Sequence, residues 1–251
     1  LAPTLTLTPT TTLTGTETLT GTETLTATPT LTPTATPVPV KLLAGDFNAA
    51  RAIALIYENP YAATAITPLL TLSFQQEGVD KRFFIVEIPG KSCPTCKASI
   101  GGAIFTALPA AWQIEIEQRH ITTLGTYGRA PTGKLVQVGD ATYGILFREP
   151  ITTTAGLTER AVLIMPVDDA IREVFAAEIA ASAPPDAAAP WAYTSEITFA
   201  PGNHPVYYDL TVVTRGARPI EGVIQPFETT SRYLPVKTGY QLAETQTQLN
   251  P

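Results

Sequence analysis

Cys93 and Cys96 are the only cysteines in this chain of 251 residues, and they form a C-x-x-C pair, Cys93-Pro94-Thr95-Cys96. Three chemistries use such a pair: a permanent disulfide, a dithiol that exchanges electrons with other disulfides, and half of a soft-metal ligand set. Two thiolates cannot close a tetrahedral zinc site, and neither His120 nor His204 stands at ligand spacing from them. Lys97 follows Cys96 where covalent haem attachment needs a histidine. The leading expectation is therefore a disulfide in an oxidising compartment, with no metal and no cofactor. A loop this short removes little chain entropy, so its role would be local rigidity.

The other reactive side chains read as structural. His120 follows Arg119 at the end of an alternating stretch, and His204 lies in the turn-like "PGNHP". Asp168-Asp169 has the composition of a turn, while Glu115 and Glu117 fall on the polar face of a strand pattern. Ser99, Ser195 and Ser231 lack a G-x-S-x-G context, and Gly101-Gly102 belongs to no phosphate-binding motif. No catalytic residue is expected. The net charge of −6, with Lys81-Arg82 as the longest basic run, gives no source for the counterion release that drives nucleic-acid binding. No stretch approaches the roughly 18 apolar residues of a membrane span.

The cysteine pair must be positioned by its neighbours. "FFIVEI" reads as a strand and "KASIGGAIFTAL" as a helix, giving strand, turn and helix N-terminus. This context resembles thioredoxin-like redox sites, which implies a helix dipole that lowers the pKa of the first thiol. The remainder departs from that pattern: Pro131, the nearest candidate for a proline facing the cysteines, sits in a turn-and-strand stretch. A thiol-disulfide oxidoreductase using Cys93 and Cys96 is the alternative.

Elsewhere, "GDFNAARAIALIYEN" (45–59) reads as a short helix with Asp46 as N-cap, ended by Asn59-Pro60. "ITPLLTLSFQQ" and "KRFFIVEI" flank a turn-like "EGVD". "AWQIEIEQRHIT" alternates apolar and polar residues as a half-buried strand does. Further strand pairs surround Gly139-Asp140, Asp168-Asp169 and Pro201-Gly202-Asn203, while "ASAPPDAAAP" (181–190) reads as a loop or lid. The predicted fold over residues 40–251 is α+β, mainly antiparallel β arranged as a meander or sandwich, with one or two short helices. "CPTCKASIGGAIF", "WQIEIEQRHITTLGTYGRAPTGKLVQVGDATYGILF" and "YYDLTVVTRG" together resemble a group of uncharacterised secreted bacterial proteins in which a cysteine pair precedes a helix and a β-meander follows. The resemblance covers roughly residues 70–235. It implies fold and export, and no catalytic residues.

Residues 1–39 are different in kind. Threonine occupies every even position from 4 to 36: Thr4, Thr6, Thr8, Thr10, Thr12, Thr14, Thr16, Thr18, Thr20, Thr22, Thr24, Thr26, Thr28, Thr30, Thr32, Thr34 and Thr36. Leu7, Leu13, Leu19, Leu25 and Leu31 recur every six residues, so they share one face in a strand or in a polyproline helix. The prolines exclude an α-helix, and the expectation is an extended tail. Too few large side chains are present to offset ordering entropy, so alone it is expected to stay mobile. The tract resembles the O-glycosylated stalks of bacterial surface proteins, which makes those threonines candidate glycan sites and the five leucines candidate packing positions. No Asn-x-Ser/Thr sequon competes for glycans. A start at Leu1 without a basic leader reads as an already processed chain. The expected function is an extracellular structural or adhesive surface protein, a self-associating filament subunit. The alternatives are the tethered oxidoreductase and a ligand-binding module on a passive stalk.

Overall fold

Short apolar runs joined by turns of two residues can bury their side chains only by pairing with their sequence neighbours, and the chain follows this rule almost throughout. The computed structural model describes residues 40–153 and 156–249. The chain divides into Leu1–Val38 and Pro39–Pro251. The tail threonines, the five tail leucines and the extended form expected of the tail lie outside the described residues.

The elements, in order, are β1 (Leu42–Ala44), α1 (Ala49–Tyr57), a 3-10 turn (Ala62–Thr64), β2 (Thr67–Gln76), β3 (Val79–Ile88), β4 (Ala98–Leu108), β5 (Ala111–Leu124), β6 (Gly133–Gln137), β7 (Tyr143–Thr153), β8 (Gly156–Val167), β9 (Ala170–Ser182), β10 (Ala192–Ala200), β11 (Asp209–Ile220), β12 (Val223–Val236) and β13 (Gly239–Leu249). They form a five-stranded sheet, β1-β5-β4-β3-β2, and an eight-stranded sheet, β13-β12-β11-β10-β9-β8-β7-β6, with all pairs antiparallel. The predicted fold class is observed. Glu77-Gly78 and Glu221-Gly222 both have positive φ, the conformation of the tight hairpin turn that matches strand twist.

Three apolar clusters define the layers. Phe84, Val86, Ala103 and Phe105 of the five-stranded sheet pack against Ala52, Ile53 and Ile56 of α1. The opposite face of that sheet, with Phe83, Ile85, Ile100 and Ile104, meets Ile145, Phe147, Val162 and Ile164 of β7 and β8. The other side of β7 to β9, including Leu146, Leu163 and Phe175, meets Leu210 and Val212 of β11. The eight-stranded sheet therefore doubles back on itself. The reversal falls where β9 and β10 share only three paired positions, Ala180, Ala181 and Ser182 against Thr194, Tyr193 and Ala192. Each fully buried phenylalanine in these layers contributes about 1.5–3 kcal/mol relative to exposure.

Two local expectations are corrected. The segment following the cysteines is not a helix: residues 98–108 are strand β4, buried on both faces between α1 and the eight-stranded sheet. Burial on both sides erases the period-two pattern, so the apolar run resembled a helix, whereas Ile100, Ile104 and Phe105 favour a strand and Gly101-Gly102 weakens a helix. The cap of α1 is Asn48, whose side chain accepts from the Arg51 N–H, and not Asp46. The buried face of α1 is correspondingly Ala52, Ile53 and Ile56.

Opposite Gly101, β5 carries an irregularity: Ile100 pairs with Thr122 and Gly102 with Gln118, leaving residues 119–121 to bulge. A Cβ at Gly101 would collide with the Tyr57 hydroxyl and the Arg119 carbonyl, which are themselves hydrogen-bonded at 2.9 Å. Gly101→Ala should therefore lose about 1–3 kcal/mol of stability, as overpacking does. Urea unfolding measures this loss, and an unchanged midpoint would contradict the close approach.

Candidate functional site

The cysteines lie in the β3–β4 connection, residues 89–97, and are joined as a disulfide. The Cys96 N–H donates to the Cys93 carbonyl at 3.0 Å, closing a tight turn directly before β4. This turn meets the β5–β6 connection, residues 125–132, backbone to backbone. Tyr127 N–H donates to the Cys93 carbonyl at 3.0 Å, Gly128 N–H to the Cys96 carbonyl at 2.8 Å, and Gly90 N–H to the Gly128 carbonyl at 3.0 Å. Gly128 is required here because its φ is +70° and a Cβ would strike Gly90.

Two buried carboxylates fix the second loop at both ends. Glu149 of β7, with 0% exposure, accepts from Gly125 N–H at 2.8 Å and pairs with Lys97 Nζ at 3.0 Å. Glu87, near the end of β3 and 2% exposed, accepts from Ala130 N–H at 2.9 Å and from Arg129 Nη2 at 2.8 Å. Arg160 stands 3.8 Å from the other Glu149 oxygen and pairs at 3.0 Å with Glu173, which also accepts from Thr122 Oγ1 at 2.6 Å. Beside the clasp, Gly125, Arg129, Pro131, Arg148 and Glu159 line an open cleft of about 460 Å³. Its arginines are already paired, Arg129 with Glu87 and Arg148 with Glu159. The arrangement holds two loops rigidly together. With strand β4 after Cys96 in place of a helix, the helix N-terminus of a thioredoxin-like site is missing.

Sequence reasoning did not identify Glu87 and Glu149. Their signal was a carboxylate at the end of an apolar run, "FFIVE" and "GILFRE", a position where a buried charge persists only when paired.

The remaining candidates are dispersed. Ser99 Oγ lies 2.7 Å from His120 Nδ1, a contact created by the β5 bulge. Among the described residues no carboxylate orients the ring, so the pair lacks the third member of an activated nucleophile. His204 Nδ1 accepts the N–H groups of Val206 at 3.2 Å and Tyr207 at 3.0 Å, the bonding of a turn cap. Glu115 is bound by Lys81 at 2.7 Å and Glu117 by Lys41 at 2.6 Å, while Asp168-Asp169 forms the β8–β9 turn. Ser195 bonds Thr214 at 2.8 Å and Ser231 bonds Thr245 at 3.1 Å. Hydrogen bonds from Lys41 and Arg119 hold the exposed Glu58 carboxyl down to about 2, so that this carboxylate stays charged above that pH. Among the described residues no group of three or more His, Cys, Asp or Glu is placed to hold a metal, and no helix is long and apolar enough to cross a membrane.

A second cleft, of about 340 Å³, is lined by Ser73, Gln75, Asp80, Arg82 and Trp112. The Arg82 guanidinium stacks over Trp112 at 4.3 Å and Phe47 at 5.0 Å, without an ion-pair partner among the described residues. Its Nε is buried without a hydrogen-bond partner.

Comparison with family models, curated proteins and solved structures finds no match to this chain.

Replacing both cysteines, Cys93→Ser with Cys96→Ser, should cost about 2 kcal/mol or less, the chain-entropy value for so short a loop. The same variant should speed hydrogen exchange at the Tyr127 and Gly128 amides, and unaltered exchange there would refute a bracing role. Glu149→Ala leaves the buried Gly125 N–H unpaired and Lys97 without its partner, so a loss of about 2–3 kcal/mol is expected in urea unfolding.

Proposed function

We propose that the chain is an extracellular structural or adhesive surface protein, a filament subunit whose Thr-rich extension is O-glycosylated or packs on a neighbouring subunit. The observation that carries this reading is a division of labour along the chain. Residues 1–36 repeat a Thr/Leu/Pro pattern whose only charges are Glu17 and Glu23, while both cysteines and both buried glutamates of the unit Pro39–Pro251 are engaged in internal bracing. Cys93 and Cys96 are bonded to each other, Glu87 and Glu149 clasp a loop, and His204 caps a turn. A rigid block on a long tether suits display or assembly better than turnover of a substrate.

The Arg82 cleft favours a second reading, a ligand-binding module on a passive stalk. It differs in predicting a monomer.

Electron microscopy of the native, glycosylated protein tests the first reading. Regular polymers are expected, and deletion of residues 1–36 should abolish them while leaving the far-UV circular dichroism of the domain intact. Monomers at every concentration, or polymers indifferent to the deletion, would overturn it.

A further inference from the structure

A head-to-tail filament needs an acceptor for the tail, and the edges of the two sheets differ sharply in how well they could serve. β1 has 3 residues and β6 has 5, one of them Lys134. β2 has 10 residues but is interrupted by a register shift beside Pro68, and its Leu69, Leu70, Leu72 and Phe74 are drawn into the core. Beyond β1, the outer edge of β5 is crossed by Tyr57 and Arg119, which bond to the Arg119 and Ile56 carbonyls respectively. These are the devices by which sheets protect their edges.

Along its second half β13 has only one of them, the charge of Glu244. It is 11 residues long, contains no Pro or Lys, and is exposed from Gln241 to Leu249. Its one irregularity lies opposite Arg232/Tyr233, which leaves Glu244 to Leu249 in continuous register with β12. A row of hydroxyls also runs across the sheet to this edge. Ser195 faces Thr214, Thr214 faces Thr229, and Thr229 faces Thr247, with Ser195–Thr214 bonded at 2.8 Å and Thr229–Thr247 at 3.1 Å. Next to it, Ser231 and Thr245 bond at 3.1 Å. The row ends at Thr247, and among the described residues no strand lies beyond β13.

We infer that this edge accepts the N-terminal extension of a second copy of the chain, added as an antiparallel or parallel strand alongside β13; the inference rests on the filament reading above. The occupant is the proline-free run of residues 10–28, bounded by Pro9 and Pro29. Its 19 residues exceed the 11 of β13, so no proline interrupts the added ladder. As a strand it presents threonine at every even position on one face, which continues the Thr/Ser row by one more strand through cross-strand hydroxyl pairing. The odd positions carry Leu13, Leu19 and Leu25 on the other face. Backbone hydrogen bonds supply the affinity and the side-chain rows the register, as in strand addition generally. Pro29, Pro33, Pro37 and Pro39 follow the run, a composition that favours a stiff spacer and so presentation to another molecule. Because donor and acceptor surfaces differ, the contact is heterologous, and it propagates as an open filament wherever its rotation does not close a ring.

The test uses the full chain. A synthetic peptide of residues 10–28 is added and amide exchange is followed over residues 239–249; alternate amides of β13 should slow. In parallel, Gln246→Pro and Thr247→Pro are compared. Successive N–H groups of a strand point to opposite sides, so one of the two removes an edge-facing donor and spares the β12 ladder. That variant should keep its thermal transition and lose its polymers. Persistent polymers in that variant, or peptide protection at a site other than β13, overturn the inference and leave the filament reading standing. Wild-type monomers without any peptide protection overturn both. Protection of β13 that is independent of concentration and lost on deleting residues 10–28 assigns the edge to the chain's own tail and overturns the second-copy occupant.

Discussion

The structure depends on a layer that is apolar on both faces. Val162 and Ile164 of β8 point into one cluster while Ala161, Leu163 and Met165 point into another, so the strand must be covered twice. One cover is the five-stranded sheet. The other comes from the continuation of the same sheet, which is possible only because the β9–β10 ladder stops after three pairs and lets β10–β13 swing across. Glycine supports that approach: Gly239, at a φ of +147°, sits where a Cβ would meet Val174 of β9. A sheet buried on both faces needs this arrangement in an all-antiparallel chain, which has no crossover helices to supply a second cover.

The same constraint explains the buried charges. Glu149 lies on β7 within the doubly covered layer, and Glu87 on β3 within the five-stranded sheet, so neither carboxylate reaches bulk water. An unpaired carboxylate there is prohibitively costly, and strand neighbours offer only backbone already used in ladders. The partners come from the loops at that end: Gly125 N–H, Ala130 N–H, Lys97 and Arg129. The disulfide then matters less as a cross-link than as a way of holding the Cys93 and Cys96 carbonyls toward Tyr127 and Gly128. Loop conformation, buried charge and cystine form one network, and removing a carboxylate leaves donors unpaired while removing a donor leaves a buried charge.

Legibility in the sequence followed exposure. Where one face met solvent or a tight turn intervened, residue type spoke plainly: the alternation of β5, the Asp168-Asp169 turn and the Pro201-Gly202-Asn203 break all correspond to structure. Where both faces were covered, the pattern vanished. "ASIGGAIFTAL" carries nothing that separates a buried helix from a buried strand except β-branching and paired glycines, and the cysteine motif upstream drew it toward a helix. The clasp was hidden for a different reason. Glu87 and Glu149 are 62 positions apart, and their shared function exists only because the loops they hold are brought together by sheet packing.

β13 shows what happens where that double cover ends. Gly239 is buried and Tyr240 half-buried, and every residue from Gln241 to Leu249 is exposed. Most of this strand contributes no apolar burial, so the entropy of ordering it is offset chiefly by its ladder to β12 and by hydroxyl pairs such as Thr229–Thr247. An exposed two-sided polar strand is a weakly held element in isolation. A further strand on its open side would satisfy the edge amides and extend the hydroxyl row, stabilising the part of the domain that its own core reaches least. The least buried strand of the fold is thus also the one with the most to gain from a partner.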